Sequence, residues 1–325
     1  MRIAVLDDYQ NVAREMADWA SLGADCEVVS FRDHLADLDS LVQRLKDFEI
    51  VVAMRERTPF PRALLEKLPR LRLLVTTGMR NASIDLAAAR ERGVVVCGTP
   101  GASGTTGELT WGLIHALFRQ IPREDRLVRE GKWQTTVGLG LAGKTLGILG
   151  LGTIGSQVAK VGTAFGMEVI AWSQNLDAER ASRAGAKRVE RDELLARSDV
   201  VTIHLVLSER TRGLIGEREL ATMKPTAFLV NTSRGPIVDE AALAAALKKG
   251  TIAGAGIDVY DNEPIAPDHP LLSAPNTVLT PHLGYVTRDE YEIQFSDVFD
   301  QIVAYAAGKP INVVNPAVFQ VLATR

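Results

Sequence analysis

Three ionisable residues follow three successive apolar runs in the C-terminal half of this 325-residue chain. Arg234 lies in Asn231-Thr-Ser-Arg-Gly after 226–231, Glu263 in Asp258-Val-Tyr-Asp-Asn-Glu-Pro after 254–258, and His282 in Pro281-His-Leu-Gly284 after 277–280. A histidine changes charge near neutrality and can exchange a proton with a hydroxyl or carbonyl oxygen. A carboxylate behind it fixes the ring and favours the imidazolium. An arginine holds a carboxylate through two parallel hydrogen bonds and polarises an adjacent carbonyl. With a nicotinamide carrying the hydride, these groups suit interconversion of a 2-oxo acid and a 2-hydroxy acid. Singly, each has a plainer reading as a loop acid, a surface charge or a capping histidine. Their recurrence after three consecutive strands, on one rim, favours the joint reading. His204, ending the run 199–204, falls on the same rim and is expected to line a cofactor cleft. His34, His115 and His269 have no evident partner and are assigned structural roles.

A seat for the hydride carrier is equally visible. The apolar run 145–149 leads into Gly150-Leu-Gly152-Thr153-Ile154-Gly155, and an amphipathic segment, 156–165, follows. Strand, glycine turn and helix in that order form the dinucleotide fingerprint. Gly150 makes the tight turn, Gly152 lets the backbone approach a pyrophosphate, and Gly155 lets helix and strand pack closely. The helix start then offers free N–H groups and its positive dipole end to phosphate. The fingerprint rule also expects an acid about 20 residues further on to hold the ribose hydroxyls of NAD. Ser173 and Gln174 stand there instead, with Arg180 nearby, so NAD and NADP both remain open.

These residues need a sheet beneath them. In the first hundred residues, runs at 3–6, 26–29, 50–54, 71–76 and 94–97 read as buried strands. Helical patterns at 11–19, 35–48, 61–68 and 84–92 separate them. A glycine-rich joint, Thr99-Pro-Gly-Ala-Ser-Gly, precedes a long apolar helix over 106–118, able to brace two domains. Residues 123–141 turn from charged to glycine-rich around Trp133 and read as an arm for a second subunit or as a plain surface connection, the arm being favoured. Alternation then resumes, with strands at 145–149, 168–172, 199–204, 226–231, 254–258 and 277–280. Helices are expected at 155–165, 192–197, 216–222 and 239–249. A last helix over 287–307 precedes a short polar tail. The pattern predicts an α/β chain of two open parallel sheets, each covered on both faces.

Composition narrows the partners. Hydrophobic residues make up 46% and charged ones 24%, as in ordinary globular chains. A net charge of −3 gathers neither nucleic acid nor anionic membrane. Two cysteines, Cys26 and Cys97, form no metal cluster or disulfide framework. Two acids in Met-Arg-Ile-Ala-Val-Leu-Asp-Asp argue against a signal peptide, and no apolar run reaches the ~18 residues of a membrane span. The expectation is a cytoplasmic protein without metal.

Four stretches carry a family resemblance: 141–155, Asn231-Thr-Ser-Arg-Gly-Pro-Ile-Val-Asp-Glu240, Gly256-Ile-Asp-Val-Tyr, and Thr280-Pro-His-Leu-Gly284. Together the chain resembles the D-isomer-specific 2-hydroxyacid dehydrogenases. That resemblance implies a Rossmann NAD(P)-binding domain, 102–284, inserted in a flavodoxin-like substrate domain, 1–101 and 285–325, with the active site in the cleft between them. It implies His282 as acid/base, Glu263 as its partner and Arg234 as carboxylate binder. It places Asp258 near the nicotinamide amide, and Thr232, Ser233, Gly284 and the loop His204-Leu205 to Thr211 along the cofactor. It gives the substrate carboxylate to the turn Thr77-Gly78-Met79, and it implies a homodimer acting on a small 2-oxo or 2-hydroxy acid. Val206 stands where a proline is usual. The turn from Gly78 to Asp85 is long and carries Arg80 and Asn81, which, like Arg55 and Arg57, bear on the substrate pocket or face solvent. Some relatives are nucleotide-sensing corepressors with the same three residues, so an interaction protein of this fold is the alternative. A formate dehydrogenase-like reading conflicts with Glu263, since that branch pairs its histidine with glutamine.

Overall fold

The computed structural model describes residues 1–100 and 104–324. The middle of the expected joint, 101–103, lies outside the described residues. The chain divides into two compact units, Met1–Ala102 with Thr287–Arg325, and Ser103–Val286.

The first unit begins β1 (Arg2–Val5), β2 (Glu27–Ser30), α1 (Leu38–Leu45), β3 (Ile50–Ala53), α2 (Arg62–Leu65), β4 (Leu73–Thr76), α3 (Leu86–Arg92) and β5 (Val95–Gly98). Its second unit counterpart runs α4 (Thr105–Phe118), α5 (Ile121–Arg129), β6 (Thr145–Leu149), α6 (Thr153–Ala164), β7 (Glu168–Trp172), α7 (Ala178–Arg183) and β8 (Lys187–Arg188). It continues α8 (Arg191–Arg197), β9 (Val200–Ile203), α9 (Glu217–Thr222), β10 (Phe228–Asn231), α10 (Glu240–Lys249), β11 (Gly254–Ile257) and β12 (Thr277–Leu279). The chain returns to the first unit with α11 (Arg288–Ala306) and α12 (Val318–Leu322).

Both sheets are parallel throughout. The first has the order β2-β1-β3-β4-β5, that of flavodoxin-like folds. The second, β12-β11-β10-β9-β6-β7-β8, is the Rossmann order with one strand added. The α/β doubly wound expectation is met in both. Central strands β3, β4, β9 and β10 are buried along their whole length, which is why they read as unbroken apolar runs. In the second unit one face packs under α8, α9 and α10 through Leu194, Leu220 and Leu243, the other under α4 and α6 through Ile114 and Val158. Helix starts are fixed by side chains: Asp37, Asp85, Asp239 and Thr287 accept from the N–H groups of Ser40, Ala88, Ala242 and Glu290.

Several local expectations need correction. Residues 11–19 form no α-helix; the Asp8 carboxylate takes the N–H groups of Val12 and Ala13, and Trp19 Nε1 donates to Ala13 O at 2.7 Å. Those bonds hold turns, and only a 3₁₀ turn, Trp19–Leu22, follows. The helix expected over 61–68 is one turn, with Pro61 at its cap. Helices α5 and α7 and strand β8 are additions. The tail is not simply polar. Val314 N–H donates to Val96 O at 2.8 Å, and Asn315 bonds Val96 N–H and Val94 O, both at 2.9 Å, along the edge of β5.

Candidate active site

Ligands of open parallel sheets sit beyond the carboxyl ends of strands, where the strand order reverses. In the second unit that point lies between β6 and β9. Gly150 (φ 101°) turns so closely there that a Cβ would stand 2.6 Å from the His204 carbonyl oxygen. At Gly155 a Cβ would stand 2.1 Å from the Gly150 carbonyl. Gly152 differs: it caps α6 without a side-chain bond, and a Cβ on it meets nothing within 4 Å. The first N–H groups of α6, which a helix leaves unpaired at its start, thus lie beside the exposed Gly152 and Thr153. Beside this elbow, His204 Nε2 is shut away from solvent and has no hydrogen-bond partner among the described residues. Burial pushes the imidazole down to about 4, so the ring is neutral at pH 7. An open anion cradle beside an orphaned buried nitrogen fits a dinucleotide.

Around the cradle, Ser173 Oγ accepts from Leu151 N–H at 3.0 Å, keeping its own proton to donate. Gln174 is exposed, and so is Arg180, which donates to Asn175 O at 3.3 Å. The Ser233 hydroxyl donates to Leu205 O, tying the ends of β9 and β10. Thr211 Oγ1 accepts from Ser208 N–H at 2.8 Å and donates to Val206 O at 2.7 Å, so that loop closes on itself. Thr232 Oγ1 lies 2.9 Å from Thr110 Oγ1.

His282 and Glu263 meet. His282 Nδ1 lies 2.6 Å from Glu263 Oε2, while Glu263 Oε1 accepts from Tyr260 N–H at 2.9 Å. With one oxygen on backbone and the other on the ring, the carboxylate cannot swing. His282 is held in left-handed backbone (φ 56°), which histidine tolerates better than most residues. Its ring meets Tyr285 edge-on at 5.5 Å. Asp258, fully buried, supports the turn from beneath. Its Oδ1 accepts from Thr280 Oγ1 (2.6 Å) and Leu283 N–H (2.7 Å), and its Oδ2 from Gly284 N–H (2.9 Å). Burial raises its pKa against the opposing pull of those bonds. Gly284 O accepts from the hydroxyls of Thr105 and Thr106. Arg234, half-buried, donates to Ser233 O at 2.8 Å. Its turn is shaped by Asn231, whose side chain bonds Ser233 N–H and Arg234 O, each at 3.0 Å. The next residue, Gly235, lies against Tyr260, where a Cβ would come 2.0 Å from the Tyr260 carbonyl carbon. That approach ties Arg234's turn to the loop carrying Glu263.

In the first unit, the turn Thr77-Gly78-Met79 ends β4. Arg55 N–H donates to Thr77 Oγ1 at 3.0 Å and its guanidinium to Thr77 O at 3.1 Å, so Arg55 braces this turn. Asn81 likewise serves as a brace, donating to Arg55 O (2.6 Å) and Thr76 Oγ1 (2.9 Å). Met79 and Arg80 are exposed. Arg57 is not a solvent-facing charge: it is buried, with its guanidinium 5.1 Å over the Tyr9 ring.

Two histidines read as partnerless have carboxylate partners: His34 Nδ1 lies 3.0 Å from Asp7 Oδ1, and His269 Nε2 lies 2.9 Å from Glu240 Oε2. Both pairs join residues distant in sequence, which spacing cannot show. Asn231 and Tyr260, which shape the site, were missed as well, although both stand inside the quoted motifs. Among the described residues no group of three metal-ligating side chains forms, and no helix is long and apolar enough to cross a membrane.

The family model for the D-isomer specific 2-hydroxyacid dehydrogenase NAD binding domain matches residues 111–284. The chain is 43% identical to a glyoxylate reductase of Aeropyrum pernix over 79% of its length and 80% of the relative's. It is 32% identical to a hydroxypyruvate reductase of Blautia hydrogenotrophica over 97% and 100%. Among solved structures, a phosphoglycerate oxidoreductase of Vibrio cholerae superposes with a TM-score of 0.90 at 38% identity, covering 95% of this chain and 99% of that one.

Proposed function

Because the chain belongs to the D-isomer-specific 2-hydroxyacid dehydrogenase family, a family of NAD(P)-dependent 2-oxo acid reductases, we propose that it reduces a small 2-oxo acid to the D-2-hydroxy acid with His282 as proton donor. The observation that carries this reading is the 2.6 Å contact between His282 Nδ1 and Glu263. A bound nicotinamide dinucleotide, NAD or NADP, supplies the hydride. The chain's residues do the rest. Glu263 accepts from Nδ1–H and so orients the ring, and Nε2 delivers its proton to the substrate's oxo oxygen. Arg234 takes the substrate carboxylate and polarises the oxo group. Backbone N–H groups of Thr77, Gly78 and Met79 also serve the carboxylate, with Arg55 as their brace and Arg80 beside them. The cofactor is held by Gly150, Gly152, Thr153, Ile154 and Gly155 at its phosphates. Ser173 and Gln174 take the adenosine ribose, and His204, Leu205, Thr211, Thr232, Ser233, Asp258 and Gly284 line its path.

A panel of oxo acids, including glyoxylate and hydroxypyruvate, tests this. Oxidation of NADH or NADPH should depend on the oxo acid and vanish in His282→Ala, and Arg234→Ala should raise KM, since a charge-assisted bond to substrate is worth about 1.5–3 kcal/mol. Unchanged KM in that variant refutes the role given to Arg234. We also read the chain as half of a homodimer. Supporting this, Trp133 is 77% and Val137 94% exposed, and Ile121, Val128 and Leu139 are exposed along the same stretch. Light scattering that gives a monomer mass would remove it.

A further inference from the structure

We infer that Glu240 is a positioning residue that fixes the loop carrying Glu263, and through it the ring of His282. The inference rests on the proposed proton-transfer role of the His282–Glu263 pair. Between β11 and the 3₁₀ turn Pro270–Ser273 the backbone runs from 258 to 269 without regular structure. A loop of this length does not by itself hold a side chain to the few tenths of an ångström that proton transfer needs. Glu240, the first residue of α10, grips the loop at two places. Its Oε1 accepts from Asp261 N–H at 3.0 Å, and its Oε2 lies 2.9 Å from His269 Nε2. Glu263 sits between those places, two residues from one and six from the other. His269 is itself tied in, since its N–H donates to Ala266 O at 3.0 Å and its Nδ1 accepts from Leu271 N–H at 3.4 Å.

The carboxylate is well placed for this task. Its side chain is only 12% exposed and that of His269 15%, so water competes weakly for the bond between them, while the Asp261 bond lies nearer the solvent. Glu240 stands on a helix whose start is independently capped by Asp239, so the clamp is anchored to the sheet-packed part of the unit. Other contacts hold the loop nearer the strand: Tyr260 OH donates to Thr280 O at 3.1 Å, and Gly235 packs against the Tyr260 carbonyl. Those restrain Tyr260. Only the Glu240 bonds among those described restrain both flanks of Glu263 to one side chain.

A double-mutant cycle on the full-length protein separates positioning from plain stability. Glu240→Ala should lower kcat roughly 10- to 100-fold, the usual scale for displacing a catalytic group by about 1 Å, with KM for the oxo acid and Kd for NADH little changed. Glu240→Gln keeps an acceptor for Asp261 N–H but turns its NH₂ towards the His269 Nε2–H, so it should recover only the part of the loss that the Asp261 bond carries. In a Glu263→Gln background, Glu240→Ala should cost much less than it does alone. A second readout needs no cofactor. The proton in the short Nδ1–O contact of His282 should give a low-field proton resonance, assigned by its disappearance in His282→Ala, and Glu240→Ala should broaden or remove it. The inference is overturned if the Glu240→Ala loss is the same factor in both backgrounds, or if the resonance and kcat persist while only thermal stability falls. Full activity in Glu263→Gln and His282→Ala would instead overturn the proposed proton-transfer role itself.

Discussion

Glu263→Gln is the most informative single change, because both carboxylate oxygens are in use. Oε1 accepts from Tyr260 N–H at 2.9 Å and Oε2 lies 2.6 Å from His282 Nδ1. Glutamine matches the shape of glutamate but has one acceptor and one donor end. If its oxygen stays on Tyr260, the NH₂ faces Nδ1, which must then be unprotonated. The ring is left as the neutral tautomer with its proton on Nε2, and the imidazolium is disfavoured. If the amide flips, its NH₂ faces the Tyr260 N–H and two donors collide. Each orientation sacrifices a charge-assisted bond worth about 1.5–3 kcal/mol, and the first also removes the proton-donating form. General acid catalysis contributes about 10²- to 10⁴-fold, so kcat for oxo-acid reduction should fall by that range. The KM of the oxo acid and the Kd of NADH should move by less than about threefold, since Glu263 is assigned no contact with either. Stopped-flow oxidation of NADH under single-turnover conditions isolates the chemical step, and Glu263→Asp should keep far more of the rate. A fall in kcat below tenfold, or a loss confined to KM, would refute this account of the pair.

Other consequences can be measured directly. Gly152→Ala should leave the melting temperature within about 1 °C of the parent, because its Cβ meets nothing within 4 Å, yet weaken NADH and NADPH binding by filling the pyrophosphate cradle. Gly155→Ala should destabilise the chain severely, with its Cβ 2.1 Å from a carbonyl oxygen. His204, held down to about 4 from an ordinary 6.5, favours the folded state fully above pH 6.5. As pH falls towards 4 the unfolded chain takes up the proton first, and about 3 kcal/mol of stability is lost. Urea unfolding between pH 7 and pH 4.5 should therefore show a shallower decline in His204→Gln. Ser173→Asp places a carboxylate where a 2′-phosphate would lie, so kcat/KM should fall with NADPH by about tenfold more than with NADH. Equal effects on the two cofactors would remove Ser173 from the ribose site.

The sequence carried the sheets and the rim residues but not the supports, and the reason is physical. Buried parallel strands must be apolar along their length, so β3, β4, β9 and β10 announce themselves, and ligands of such sheets gather at one known end. Locating Arg234, Glu263 and His282 therefore needed only strand ends. Segments stabilised by a few particular bonds are different. Residues 11–19 space their apolar side chains like a helix, yet two bonds from Asp8 hold them in turns. Helix α5 buries no residue at all, so no packing against a core marks it, and its stretch reads as charged.

The same contrast explains the two hidden histidine–carboxylate pairs. His282 and Glu263 were found together because each follows a strand in one sheet, so topology predicts their meeting. His269 and Glu240 belong to a loop and a helix start, and their meeting depends on how far the 258–269 backbone folds back over α10. Nothing in residue type or spacing encodes that distance. The groups to which we assign the chemistry are thus fixed by the sheet, which sequence periodicity reports. The accuracy with which they are held depends on contacts such as Glu240 with Asp261 and His269, which join segments about 20 to 30 residues apart and appear only once the chain is folded.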